Sequence, residues 1–287
     1  MTGPSAASVG HLVLGTYLRH LRVERGLTGG QAAAELARAG AVPLSVPVLS
    51  RIETGQRPVT SGEADALLRI YRCGPTESAT RAWRQLGDTT FAVDGQAQYP
   101  VADTAAGWQD RLAAVEHRAR RARYYSQFLI PAFLRTDAYA AQVAGAGPQP
   151  QIARPHFVGA GTAPLVILDA SLLSRPWGGA GLFNAQVQHL LNAMNTGRCD
   201  LRVLPTDLDV HPPAHHVTEY HLERGMGLHA VERSDGVTYY AGPENDLWLS
   251  GHLDRAAACA LGPADSRRHL ERARTTAASK AGLPPPG

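Results

Sequence analysis

Histidines are concentrated in one short segment of the C-terminal half, His211-Pro212-Pro213-Ala214-His215-His216, followed by Glu219 and His221. Imidazole ligates metals, transfers protons near neutral pH and hydrogen-bonds to ligands. The prolines exclude a regular helix that would set two of these histidines on one face, and no His-Glu-x-x-His pattern occurs. An exposed loop, a metal site and an acid-base or ligand-binding role stay open. The catalytic candidates are His211, His215 and His216.

Aromatic side chains elsewhere in the C-terminal half can line a ligand cavity with these imidazoles or belong to the core. The candidate ligand-binding residues are Tyr124, Tyr125, Phe128, Trp177, His211, His215 and Tyr220. A Gly-rich phosphate loop, a Gly-x-Ser-x-Gly turn and a Cys-His nucleophile pair are missing from the sequence, so it predicts no cofactor, and no metal is assigned. The three cysteines form no Cys-x-x-Cys pair, which excludes a zinc finger and a disulfide framework.

A second group of polar residues lies in the first 86 residues, which carry ten arginines and six acidic residues. Ser50, Arg51, Gln56 and Arg57 fall on or just after one short predicted helix, and their donors suit phosphates and base edges. The helix opens with the apolar turn Val46-Pro47-Val48, which can touch a thymine methyl but reads no hydrogen-bond pattern. The candidate DNA-binding residues are Thr28, Gln31, Ser45, Val46, Val48, Ser50, Arg51, Gln56 and Arg57.

Five helices are predicted to position these residues. The spacing of Leu14, Leu18 and Leu21 indicates a helix over 12–25 that ends at Gly26. Thr28 is the expected cap of a second helix ended by Gly40, and Ser45 that of a third over 46–53. Thr60-Ser61-Gly62-Glu63 is a capping-box pattern that opens a fourth, and a fifth runs to about Leu86. This domain is assigned to residues 11–86, after a disordered stretch over 1–10.

A linker over 87–103 is expected to lead to a larger domain over 104–278 in which helices and strands alternate, before a disordered tail over 279–287. The fold class is therefore α+β, with an all-α five-helix domain and a mixed α/β domain. Extended segments are predicted at 124–130, 165–168, 201–204, 217–222, 228–231 and 237–241. Helices are predicted at 108–121, around Tyr139 and at 183–194, 246–261 and 263–278, with a loop over 145–164.

Three stretches of the N-terminal region carry a family resemblance: Leu14-Gly15-Thr16-Tyr17-Leu18-Arg19-His20-Leu21-Arg22, Gly26-Leu27-Thr28 and Leu49-Ser50-Arg51-Ile52-Glu53-Thr54-Gly55-Gln56-Arg57-Pro58. They resemble the XRE (Cro/repressor-like) helix-turn-helix family, which implies a recognition helix in the DNA major groove and a dimer on two half-sites. Gly29 replaces a DNA-contacting Gln of that family, and residues 38–44 make a longer turn. Glu53 is expected to pair with Arg19 or Arg22.

A second resemblance begins at residues 128–140, Phe-Leu-Ile-Pro-Ala-Phe-Leu-Arg-Thr-Asp-Ala-Tyr-Ala, and continues through 168–173, Gly178-Gly179 and 201–205. These segments are similar to an uncharacterised domain that follows the helix-turn-helix in many actinobacterial XRE-type regulators. Ala132, Arg135 and Ala170 depart from its usual residues. The resemblance implies a regulator of actinobacterial origin.

The sequence thus predicts a cytoplasmic transcriptional regulator without a membrane span or secretory signal, since no apolar run is long enough to span a bilayer. Its expected partners are double-stranded DNA, a second copy in a homodimer, and a small-molecule effector or small protein partner. The alternative is an enzyme of a biosynthetic (secondary-metabolite) pathway, built on a regulator scaffold with a degenerate DNA-reading helix, whose pocket and histidines carry the chemistry. A protein-interaction module is the third reading.

Overall fold

The computed structural model describes residues 9–41, 43–73, 82–83, 85–87, 100–144, 162–207, 212–213, 215–223 and 227–280. The chain divides into unit 1, made of Met1–Arg118 with Gly236–Pro243, and unit 2, made of Ala119–Asp235 with Glu244–Gly287. Unit 1 is mostly helical and unit 2 combines strands with helices, which confirms the predicted α+β class. None of the described helices is long and apolar enough to cross a membrane.

Unit 1 opens with four helices: α1 (Val9–Glu24), α2 (Gly29–Arg38), α3 (Val46–Glu53) and α4 (Ser61–Ile70). Glycines at positive φ follow the first three, as expected at helix C-termini. The four predicted helices are confirmed, although α1 begins three residues before the predicted start at Leu12. Of the predicted fifth helix, residues 82–83 and 85–87 are helical, and the rest lies outside the described residues.

Two glycines bring the backbones of α1 and α3 into contact. A Cβ atom on Gly15 would lie 2.1 Å from the carbonyl oxygen of Ile52, and one on Gly55 would lie 2.7 Å from the Cα of Leu12. Neither position has room for a side chain, so glycine is required at both. The helices share a buried core that includes Leu18, Leu36, Leu49, Ile52 and Leu67.

A further helix and two short strands complete unit 1. Helix α5 (Trp108–Arg118) packs against α1, and strand β1 (Val101–Asp103) pairs antiparallel with β7 (Gly236–Tyr240). Asp103 is fully buried and accepts two hydrogen bonds of 2.7 Å from the Arg111 guanidinium. Of the predicted linker, residues 88–99 lie outside the described part of the chain. Strand β1 was not predicted, because three residues carry no readable periodicity.

Unit 2 contains five strands in the spatial order β6-β5-β2-β3-β4. They are β2 (Arg121–Ser126), β3 (Leu165–Asp169), β4 (Asp200–Leu204), β5 (His216–His221) and β6 (Gly227–Arg233). Strands β2, β3 and β4 are parallel, whereas β5 is antiparallel to both β2 and β6. The predicted strands are confirmed, except that the first begins at Arg121 instead of 124 and ends before the predicted 130.

The helices of unit 2 are α6 (Asp137–Ala144), α7 (Ala170–Leu173), α8 (Ala180–Asn195), α9 (Pro243–Cys259) and α10 (Pro263–Lys280), with a 3-10 turn at Ala132–Leu134. Helix α10 packs against α8 and against strand β4. The N–H of Val203 donates to Ser266 Oγ over 2.9 Å, and the N–H of Leu261 donates to the Val203 carbonyl over 2.8 Å. These bonds satisfy backbone groups of β4 that have no strand partner.

Candidate nucleic-acid interface and polar clusters of the sheet

The start of α2 is held by a reciprocal capping box. The hydroxyl of Thr28 accepts from the Gln31 N–H over 3.2 Å, and Oε1 of Gln31 accepts from the Thr28 N–H over 2.8 Å. Both side chains are exposed but are engaged in fixing the helix start. Thr28 and Gln31 are both predicted DNA-binding residues, and the side-chain NH2 group of Gln31 takes no part in this capping box.

Helix α3 presents the predicted reading residues to solvent. Ser45 occupies the N-cap position but makes no side-chain capping bond, contrary to the expectation from its residue type, and Pro47 lies in the first turn. Val46 is 46% exposed, and Ser50 and Arg51 are exposed as well. Val48, in contrast, is partly buried against the helical core. The first turn of α3 therefore exposes Val46 and Pro47 and turns Val48 towards the core.

The two predicted DNA-binding residues that follow α3, Gln56 and Arg57, have different surroundings. Gln56 is exposed, whereas the Arg57 guanidinium donates to the Glu63 carboxylate over 2.8 and 3.2 Å. Glu63 also closes the capping box of Thr60 at the start of α4, as its pattern predicted. Burial alone would raise the pKa of Glu63, but the bonds from Arg57 and Thr60 outweigh burial and hold that pKa below its ordinary value.

Glu53, the last residue of α3, is held by arginines of two helices. Nε and Nη2 of Arg22 donate to its carboxylate over 2.6 and 2.8 Å, which confirms the predicted pairing with an arginine of the first helix. Arg22 also donates to the Leu27 carbonyl, and Arg118 of α5 donates to the Glu53 carbonyl over 2.9 Å. The bond to Glu53 is the main reason that the pKa of Arg22 is raised. These contacts fix α3 relative to α1 and α5.

Gly29, the first residue of α2, lies beside the first turn of α3. A Cβ atom on it would be 3.6 Å from Cγ1 of Val46, an ordinary van der Waals distance. The position therefore has room for a side chain, so no steric constraint requires glycine there.

Two of the three predicted catalytic histidines, His215 and His216, are among the described residues. His211 lies outside the described residues, and His215 is exposed. His216 begins β5, where its Nδ1 is 2.9 Å from Ser126 Oγ and its Nε2 is 3.4 Å from Glu232 Oε1. Because His216 is in register with Glu232 of β6, these side chains share one face of the sheet. Among the described residues, no group of three or more metal-ligating side chains is placed to hold an ion.

The predicted ligand-binding aromatics fall into two groups. Tyr124, Tyr125 and Tyr220 are at most 1% exposed, whereas Phe128 and Trp177 are 60% and 40% exposed. Tyr124 packs edge-to-face on Tyr220 with ring centroids 6.2 Å apart. The buried tyrosines are core residues in this structure, and their role in a ligand site stays a prediction.

The Tyr125 hydroxyl contributes a buried polar contact to that core. It donates to Asp169 Oδ2 over 3.0 Å. Burial first, and the adjacent carboxylate second, raise the pKa of Tyr125 well above its ordinary value. The phenol therefore stays protonated and ties β2 to the end of β3.

A polar cluster on the face of the sheet opposite to Ser126 and His216 was not predicted. Arg123 of β2, Glu219 of β5 and His229 of β6 face one another in register. Arg123 pairs with Glu219, whose Oε1 accepts from Ser250 of α9 over 2.7 Å, and His229 Nε2 is 3.1 Å from the Ser250 hydroxyl. Burial would raise the pKa of Glu219, but the bonds from His229, Arg123 and Ser250 depress it strongly. The charged residue Glu219, in the middle of a predicted strand, is the sequence feature that could have indicated this cluster.

Two known protein families match separate parts of the chain. Residues 13–80 match a helix-turn-helix domain, and residues 109–272 match a domain of unknown function, DUF5753. No curated protein and no solved structure matches the chain. Because the second match spans more than half of the sequence, the chain belongs to the DUF5753 family and carries a helix-turn-helix domain ahead of it.

Proposed function

We propose that this protein is a transcriptional regulator that binds duplex DNA as a homodimer through α2 and α3, under the control of an effector sensed by its C-terminal domain. One observation carries the proposal. The outer face of α3 and the turn after it leave Ser50, Arg51 and Gln56 exposed, on a helix whose inner face is buried through Leu49 and Ile52. A helix in this position of the motif is the one that enters the major groove.

The chemistry of that face suits a nucleic acid more than a protein. Arg51 forms no ion pair with any carboxylate that the structure describes, so its guanidinium is available for a phosphate or a guanine edge. Ser50 and Gln56 add neutral donors, and the exposed Val46 can touch a thymine methyl. Arg57 is tied to Glu63, and we therefore expect it to shape the turn more than to bind DNA.

A route from the C-terminal domain to the recognition helix supports the regulatory half of the proposal. Helix α5 falls within the DUF5753 match, yet it belongs to the same compact unit as the helix-turn-helix. Its Arg118 donates to the carbonyl of Glu53 at the end of α3. An effector, whether a small molecule or a small protein, that prefers one position of α5 therefore also biases α3. The homodimer follows from the geometry of half-site recognition.

The test compares two exposed arginines on DNA fragments from the chromosomal neighbourhood of the gene, at fixed near-physiological salt. Arg51→Ala is expected to weaken specific binding by about tenfold or more, since one such contact contributes roughly 1–3 kcal/mol. Arg233→Ala, which removes the same charge from the end of β6, is the matched control and should change affinity less than about twofold. Equal effects of the two variants would exclude the proposed interface.

A second candidate function, an enzyme of a biosynthetic pathway, is favoured by the hydroxyl, imidazole and carboxylate of Ser126, His216 and Glu232. Such a sequence of groups is used for proton transfer. Ser126 is fully buried, which suits a positioning role more than a nucleophilic one. The enzyme is supported by two results together. No DNA fragment is bound specifically, and the purified protein retains a small organic ligand that the parent converts and the His216→Ala variant does not.

A further inference from the structure

A groove of about 240 Å³ crosses the surface of unit 2 between α7, with the turn that follows it, and the second half of α10. One wall is mostly apolar, through Leu173 and Pro176, and Ser174 on the same wall donates its hydroxyl to the Ser171 carbonyl over 2.7 Å. Ala273 and Ala277 of α10 also line the groove. At this size the groove holds a molecule smaller than the drug-sized ligands that fill pockets of roughly 300–1,000 Å³.

Polar side chains of α10 line the other side of the groove. His269, Arg272 and Thr276 recur three and four residues apart, so they lie on one face of the helix. Apolar surface on one wall and hydrogen-bonding groups on the other is the arrangement that an amphipathic small molecule fits.

Arg272 differs from the other arginines of α10. Arg267 donates to Asn195 over 2.7 Å, Arg274 donates to Gln188 over 2.5 Å, and Arg268 pairs with Asp265. Arg272, in contrast, forms no ion pair or hydrogen bond with a described residue. The arginine that lines the groove is thus the one whose guanidinium has its full hydrogen-bonding capacity left for an anion.

His269 sets how much positive charge the groove carries at neutral pH. Burial first, and the neighbouring Arg272 second, lower the pKa of His269. The imidazole is therefore neutral near pH 7, and Arg272 supplies the single positive charge. One charge beside an apolar wall matches a singly charged carboxylate better than a phosphate of higher charge.

We propose that this groove is a binding site for a small organic carboxylate, with the carboxylate on Arg272 within reach of His269 and Thr276, and the apolar body against Leu173 and Pro176. That such a ligand acts as the effector rests on the proposed regulator function. Binding itself does not, and it is measured without DNA.

The probe is octanoate, titrated calorimetrically into the full-length protein, with 1-octanol as the uncharged partner of equal chain length. We expect octanoate to bind and octanol to bind about tenfold more weakly or not at all. Arg272→Gln should weaken octanoate by a similar factor, and Thr276→Trp should block the groove. Arg255→Gln and Ala258→Trp, at exposed positions of α9, are the matched controls for charge and bulk and should bind as the parent does.

Several results would overturn the site. They are absence of octanoate binding, equal affinity for octanoate and octanol, unchanged binding in Arg272→Gln, or displacement of octanoate by equimolar inorganic phosphate. Thermal unfolding and circular dichroism of each variant verify that it is folded. A separate titration of the DNA fragment that the protein binds specifically, with and without octanoate, then tests the effector role. Binding of octanoate that leaves DNA affinity unchanged removes the regulatory role and keeps the site.

Discussion

Replacing Gly15 by alanine tests the backbone contact that seats the recognition helix. The added Cβ would lie 2.1 Å from the carbonyl oxygen of Ile52 and within 3.2 Å of carbonyl carbons of Ile52 and Glu53. These are backbone atoms, so the clash is relieved only if α1 and α3 separate by roughly 1.3 Å or more, the difference between 2.1 Å and an ordinary contact distance of about 3.4 Å. Such a shift also stretches the bonds between Arg22 and Glu53.

Two opposing effects determine the expected magnitude. Gly→Ala inside a helix gains up to about 1 kcal/mol from backbone entropy. Overpacking costs about 1–3 kcal/mol, and weakening a buried ion pair adds up to about 3 kcal/mol. We expect a net loss of roughly 2–3 kcal/mol, which corresponds to a fall in Tm of roughly 5–10 °C.

Gly62→Ala in α4 is the matched control, because a Cβ there meets nothing within 4 Å. It should stabilise the protein by about 0.5–1 kcal/mol. Urea unfolding followed by circular dichroism measures both variants, and DNA affinity is measured on the folded fraction. If Gly15→Ala is as stable as the parent, or if the two variants shift the midpoint in the same direction, the close approach of α1 and α3 is not what positions α3.

Three further predictions follow from single contacts. Gly29→Gln adds a side chain beside Val46 where nothing obstructs it, and should raise DNA affinity by about threefold to tenfold in a fluorescence anisotropy titration; a loss of affinity would contradict the placement of α2 at the DNA. Arg118→Ala removes the α5 bond to the Glu53 carbonyl and should change DNA affinity while lowering stability by only about 1 kcal/mol; unchanged affinity would separate α5 from the recognition helix. The depressed pKa of Glu219 contributes stability that is fully present above its unfolded-state pKa and is lost as pH falls below about 4.5, so Glu219→Gln should flatten the acid limb of a Tm-against-pH curve; a parallel curve would refute this.

Local signals predicted the helical domain well. Thr60 and Glu63 follow the capping-box pattern, and Gly26, Gly40 and Gly55 end helices where they were expected. Such features involve residues at most four apart, so the sequence contains both partners. Ser45 shows the limit of residue type alone, since it occupies an N-cap position but makes no side-chain capping bond.

The contacts that define the polar clusters were beyond reach of sequence patterns. Ser126 and His216 are 90 residues apart, and Arg123 and Glu219 are 96 apart. Their meeting depends on strand order and register, and a shift of one residue would move each side chain to the other face of the sheet. The tyrosines of β2 were predicted to lie in an extended segment and either to line a cavity or to belong to the core, and only the assembled sheet distinguishes these two.

The pairing of β1 with β7 delays the point in synthesis at which unit 1 can be completed. Unit 1 includes residues 236–243, so the compact body that holds the recognition helix is closed by a segment synthesised more than a hundred residues after the helix-turn-helix. When only the first third of the chain has been synthesised, the DNA-binding unit is therefore incomplete, because β1 has no β7 to pair with. Fragments that stop before Gly236 contain every residue assigned to DNA binding but lack β7, the strand that pairs with β1 in the same unit.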